Sequence, residues 1–114
     1  MRKQITKWLT APIVLLVMIS IFNGCKKKDD QPEKREVEMQ NLVFSPVSLT
    51  VPVGTTVTWI NKESMLHTVT SSDNFLNSGD MALNATYSKT FTTAGTYSYY
   101  CIYHVGMTAE IIVQ

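Results

Sequence analysis

Near the C-terminus of this 114-residue chain, Cys101-Ile102-Tyr103-His104-Val105-Gly106-Met107 sets a thiol, an imidazole and a thioether three residues apart, a spacing short enough to curl around one ion. The chain has two histidines, and the other is His67. Two imidazoles, one thiolate and a weak axial thioether are the set that holds copper in electron-transfer sites. Thiolate and thioether favour Cu(I), imidazole serves both oxidation states, and a geometry between their preferences lets the charge change with little rearrangement. Each residue taken alone has a plainer reading. A lone cysteine or methionine in a β-domain is usually core filler, and a lone histidine is usually on the surface. The spacing, and the absence of a disulfide partner in the domain, are what turn Cys101 from filler into a candidate ligand.

The elements that would position these groups have the period of strands. Val37/Met39, Leu49/Val51, Val57/Trp59, Tyr87/Phe91, Tyr97/Tyr99/Cys101 and Ala109/Ile111/Val113 each alternate with more polar neighbours. Ser45-Pro46, Pro52-Val53-Gly54, Asn61-Lys62-Glu63, Asn77-Ser78-Gly79-Asp80 and Ala94-Gly95 punctuate them as turns. No stretch offers a capped amphipathic helix, so an all-β sandwich is expected, with Trp59 and Phe91 in its core. His67 follows the turn after the Val57–Ile60 strand, while Cys101, His104 and Met107 fall between the last two strands. Both groups would sit on loops, and loops at one end of a sandwich are where such folds carry function.

Residues 37–114 resemble the cupredoxins, the plastocyanin and amicyanin type of small blue-copper protein. The resemblance lies in Phe44-Ser45-Pro46, Val53-Gly54-Thr55-Thr56-Val57-Thr58-Trp59-Ile60-Asn61, His67-Thr68-Val69, Gly95-Thr96-Tyr97-Ser98-Tyr99-Tyr100-Cys101 and the ligand loop. It implies a Greek-key β-sandwich, one type 1 copper ion, and His67, Cys101, His104 and Met107 as its ligands. The Cys-x2-His-x2-Met spacing looks like the short loop of amicyanin. Two positions depart from the family pattern. Thr68 stands where many members have an asparagine that braces the ligand loop, and Tyr103 and Val105 flank His104 where proline is usual. The resemblance further implies docking to redox partners around His104, for which Met65, Leu66, Tyr103 and Val105 are the candidate contacts.

Ahead of this domain, Met1-Arg2-Lys3 with Lys7 precedes an apolar stretch from Leu9 to Phe22, which is a secretory pattern. It is short for a membrane span and contains Pro12, Ser20 and Asn23. Gly24-Cys25 ends it, so residues 1–24 resemble a bacterial lipoprotein signal with Cys25 as the lipidated N-terminus; an uncleaved anchor is the alternative. Either way the domain is expected to be exported, on the periplasmic or cell-surface side. Residues 25–36 are charged and almost free of apolar side chains, as suits a flexible tether.

Ten Lys+Arg against nine Asp+Glu argue against a nucleic-acid binder. Within residues 37–114 two lysines face five carboxylates, a net charge of −3. Those carboxylates are scattered, which disfavours paired acid-base catalysis, and two histidines leave no second copper centre; an enzyme is not expected. The leading expectation is a monomeric electron carrier serving a redox donor and acceptor. Copper delivery or storage is the alternative, and a metal-free adhesion sandwich the third class.

Overall fold

The structure, a computed structural model, describes residues 35–114. The expected signal segment, the lipidation site Cys25 and most of the tether lie outside the described residues. Seven strands follow: β1 (Glu36–Gln40), β2 (Val43–Ser45), β3 (Ser48–Val51), β4 (Thr55–Asn61), β5 (Thr86–Phe91), β6 (Gly95–Tyr100) and β7 (Thr108–Val113). They make a four-stranded sheet in the order β2-β1-β4-β5 and a three-stranded sheet in the order β3-β7-β6. β1 runs parallel to β4 and β3 parallel to β7, while the other pairs are antiparallel. Parallel neighbours need connections that leave the sheet, so the chain crosses between layers and forms a sandwich, as expected.

β4 shows why these residues become strands. Thr55-Thr56-Val57-Thr58-Trp59-Ile60-Asn61 is rich in β-branched side chains and alternates strictly, with Val57 and Trp59 fully buried. On its outer face Thr56 pairs with Thr90 at 2.7 Å and Thr58 with Ser88 at 2.8 Å, hydroxyl pairs that fix the β4–β5 register. Inside, Trp59 meets Tyr99 of the opposite sheet edge to face, with centroids 5.5 Å apart, and Phe44 meets Tyr99 at 4.8 Å. Such pairs add about 0.5–1.5 kcal/mol each beyond simple burial, so this aromatic group ties the two layers together. Trp59 and Phe91 are core residues, as the alternation predicts.

Two details differ from the strand pattern. Val43–Ser45 forms a strand that periodicity does not reveal, because three residues are too few to alternate and only Phe44 turns inward. Cys101 keeps the Tyr97/Tyr99 alternation in burial but lies one residue past β6, which ends at Tyr100, where a bridge to Thr70 closes the ladder. Between β4 and β5 the chain forms isolated bridges, His67 with Met81 and Thr70 with Asn77. Asn61, fully buried at the end of β4, organises this long connection. Its amide donates to Met65 O at 2.7 Å and to Met81 O at 2.8 Å, and its carbonyl accepts from Glu63 N–H at 2.9 Å. Both arms of the loop carrying His67 are therefore pinned to a core strand.

Candidate metal centre

His67 lies on this pinned connection. Its N–H donates to Met81 O at 3.2 Å, and its carbonyl accepts from Met81 N–H at 2.9 Å, so the backbone cannot swing. The second ligand segment is held as closely. Met107 N–H donates to His104 O at 3.2 Å, which makes His104-Val105-Gly106-Met107 a turn with positive φ at Gly106, +86°, a conformation suited to glycine. Cys101 N–H then donates to Met107 O at 3.0 Å and closes the loop upon itself. The short Cys-x2-His-x2-Met spacing thus folds as two nested turns.

These elements bring the expected ligands together. A ring nitrogen from each of His67 and His104 and the Cys101 sulfur all lie within 4.8 Å of one another. His67 Nδ1 is 3.7 Å from Cys101 Sγ, and the two imidazoles meet at a centroid distance of 4.9 Å. His67, Cys101 and Met107 are buried and His104 is half-buried at the rim. His104 Nε2 is buried without a hydrogen-bond partner, and Cys101 is a free thiol. A buried ring nitrogen without a partner is costly unless something binds it. Two imidazoles, a thiol and a thioether are the donor set for copper, so these residues fit that ion.

Thr68 braces the site with groups that asparagine is not needed to supply. Its N–H donates to Cys101 Sγ at 3.4 Å, and its hydroxyl oxygen accepts from Ile102 N–H at 3.0 Å while pairing with Thr70 at 2.9 Å. Tyr103 is also tied down, because its hydroxyl donates to Asp80 at 2.5 Å. That hydrogen bond to a carboxylate raises the phenol above its ordinary pKa. Met65, Leu66, Tyr103 and Val105 are all exposed, and so is Ile102, which was not among the expected contacts. A cleft of about 340 Å³, lined by Ile102, His104, Val105 and Gly106, runs beside the loop to Cys101. A larger one, about 380 Å³ beside Val47, Tyr99 and Glu110, holds none of the candidate ligands.

One residue at the site escaped sequence reasoning. Glu63 looks like one of several scattered acids, yet its Oε1 lies 2.6 Å from His67 Nε2. Partial desolvation raises the Glu63 carboxyl, but hydrogen bonds from His67 and from the N–H groups of Leu42 and Asn41 outweigh it and leave the pKa below its ordinary value. The four-residue spacing to His67 was the only local signal.

Fold and site together define a small β-sandwich protein with one mononuclear metal centre built from two loops. The family model for copper binding proteins of the plastocyanin/azurin family matches residues 32–114, and the chain belongs to that family. It is 39% identical over 85 residues to amicyanin of Paracoccus denitrificans, covering 68% of this chain and 63% of that one. It is 41% identical over 86 residues to plastocyanin of Scenedesmus fuscus, covering 64% and 88%. Among solved structures, a reduced amicyanin mutant superimposes with a TM-score of 0.66 at 36% identity, over 69% of this chain and 80% of that one. A purple cupredoxin from Nitrosopumilus maritimus does so with 0.63 at 27%, over 69% and 98%. The cofactor of this blue-copper fold is copper, and His67, Cys101, His104 and Met107 are positioned to hold one ion.

Proposed function

We propose that the protein is an electron carrier and not an enzyme, passing single electrons between a redox donor and an acceptor. The observation that carries this reading is the pre-formed cluster of buried His67 and Cys101 with half-buried His104, held by backbone hydrogen bonds from both loops. Copper bound there supplies a one-electron Cu(II)/Cu(I) couple. The protein's part is rigidity: ligands that are already placed need little rearrangement when the charge changes, which keeps the barrier to transfer low. Cys101 accepts a hydrogen bond from Thr68 N–H, Met107 would supply a weakly bound thioether, and His104 at the rim would be the exit towards a partner. Exposed Met65, Leu66, Tyr103 and Val105 give that exit an apolar surround suited to short-lived contact.

A delivery or storage role receives less support. Soft-metal handling favours accessible thioethers, and among the described residues Met39, Met81 and Met107 are buried, leaving only Met65 exposed. Export and lipid attachment at Cys25 belong to the same proposal, resting on the pattern of residues 1–25. We further propose a monomer.

The test is the visible spectrum and its response to reductant. The copper-loaded protein should show an intense thiolate-to-copper band that bleaches and returns on one-electron cycling. Cys101→Ser should remove the band from a folded protein, since a hydroxyl is not a soft thiolate. A band that survives this substitution, or copper that does not cycle, overturns the reading.

A further inference from the structure

We propose that Glu63 is a positioning residue of the copper site, which fixes His67 in the tautomer that presents Nδ1 to the metal and makes the Asn41–Leu42 turn part of the site's support. His67 Nε2 lies 2.6 Å from Glu63 Oε1, while its Nδ1 faces the Cys101 sulfur at 3.7 Å. An ionised carboxylate only accepts, so Nε2 must carry the proton and Nδ1 is left with its lone pair directed at the cluster. A carboxylate behind a ligating histidine orients the ring and makes it more basic. His67 is fully buried, and Glu63 stands between its Nε2 and solvent, with its own side chain partly exposed.

The carboxylate is itself held from outside the site. Asn41 N–H donates to Oε2 and Leu42 N–H to Oε1, each at 3.2 Å. These two residues form the whole turn between β1 and β2, since Gln40 pairs with Val43, and both have positive φ, 56° and 63°. Leucine rarely adopts that conformation, and a hairpin of this type ordinarily prefers glycine at the second position. A sparsely populated backbone state persists where its surroundings over-determine it. Here the surroundings are Glu63, whose two oxygens collect both turn N–H groups and the imidazole. The β1–β2 turn and the first ligand of the metal thus share one side chain.

The inference rests on copper being the occupant of the site and is independent of the electron-transfer reading. In Glu63→Ala the affinity for Cu(II), measured by chelator competition, should fall about 10–100-fold, the range for removing such a partner. Loss of an anionic partner weakens the more highly charged Cu(II) more than Cu(I), so the potential should rise. A tenfold selective loss corresponds to about 59 mV. The His67 Nε2–H proton, slow to exchange in the parent by NMR of the apo and Cu(I) forms, should exchange fast or vanish. Glu63→Gln keeps an oxygen acceptor and should retain that proton and most of the affinity while still raising the potential.

A folded Glu63→Ala protein with unchanged Cu(II) affinity and potential overturns the proposal. So does one that loses only thermal stability, because that result would confine Glu63 to the turn. If the alanine variant does not fold, the glutamine variant decides: a potential equal to the parent's overturns it. A parent protein that shows the protected Nε2–H but binds no copper would instead refute the copper assignment.

Discussion

The backbone N–H of Thr68 points at the sulfur of Cys101 from 3.4 Å, joining the residue after the first ligand to a second ligand 33 positions later. A hydrogen bond to the sulfur stabilises an electron-rich thiolate and is one of the means by which such sites set their potential. The same residue's hydroxyl oxygen accepts from Ile102 N–H at 3.0 Å, so Thr68 grips the ligand loop twice. Thr68→Val should keep the N–H contact and the intense band but leave Ile102 N–H without its acceptor. The expected cost is about 1 kcal/mol in urea unfolding of the apo protein. No loss of stability would show that the hydroxyl does not brace the loop.

Much of this arrangement was legible in the sequence because it is local. Val57/Trp59 and Ala109/Ile111/Val113 show their strands by period two, and Cys101, His104 and Met107 show their common purpose by even spacing. What was not legible depends on long-range approach. Glu63 meets Asn41 and Leu42 from more than twenty positions away, and Tyr103 meets Asp80 across 23. No local period encodes such contacts. Thr68 looked like a departure from the family's bracing asparagine, yet a hydroxyl and a backbone N–H supply a brace at that position. The strand Val43–Ser45 is set by pairing with β1 and by the burial of Phe44, neither of which three residues can announce.

Met107 is buried, with its backbone locked to Cys101 and His104, so replacing its side chain should not unfold the loop. Met107→Leu keeps the volume and removes the thioether, and volume-conserving apolar exchanges are well tolerated. The intense band should remain while the potential rises, because a site without its axial donor favours Cu(I). Voltammetry checks this, and an unchanged or lowered potential counts against Met107 as the axial ligand.

Tyr99 should make the fold sensitive to alkali. Burial pushes its phenol up to about 12 from an ordinary 10.0, and the indole N–H of Trp59 nearby opposes this without reaching hydrogen-bond geometry, since neither Tyr99 OH nor Trp59 Nε1 has a hydrogen-bond partner. The folded state holds this proton more tightly than the unfolded state, so the associated stability is fully present below pH 10 and is lost as the pH rises towards 12. Two units correspond to about 3 kcal/mol. Tyr99→Phe should be neutral or slightly stabilising at pH 7, having lost an unpaired hydroxyl, and should lack that part of the alkaline fall. Urea melts of both proteins across the alkaline range decide it; parallel pH profiles would mean that the buried phenol is not what titrates.

Val105 is the most exposed apolar residue of the ligand loop and stands next to His104, the half-buried ligand at the rim. Apolar side chains there favour brief, adaptable contact, whereas the net charge of −3 over residues 37–114 would act earlier, steering a basic partner at a rate that salt screens. Val105→Glu separates the two effects. It places a charge beside the proposed exit but changes no ligand, so the visible spectrum and the copper affinity should match the parent. Electron transfer to a redox partner should slow, and the slowing should persist at high ionic strength, because it reflects lost contact more than altered steering. Stopped-flow rates over a series of salt concentrations provide the measurement. Transfer as fast as the parent's at every ionic strength would mean that the electron leaves by another face and that the apolar surround of His104 is not the docking surface.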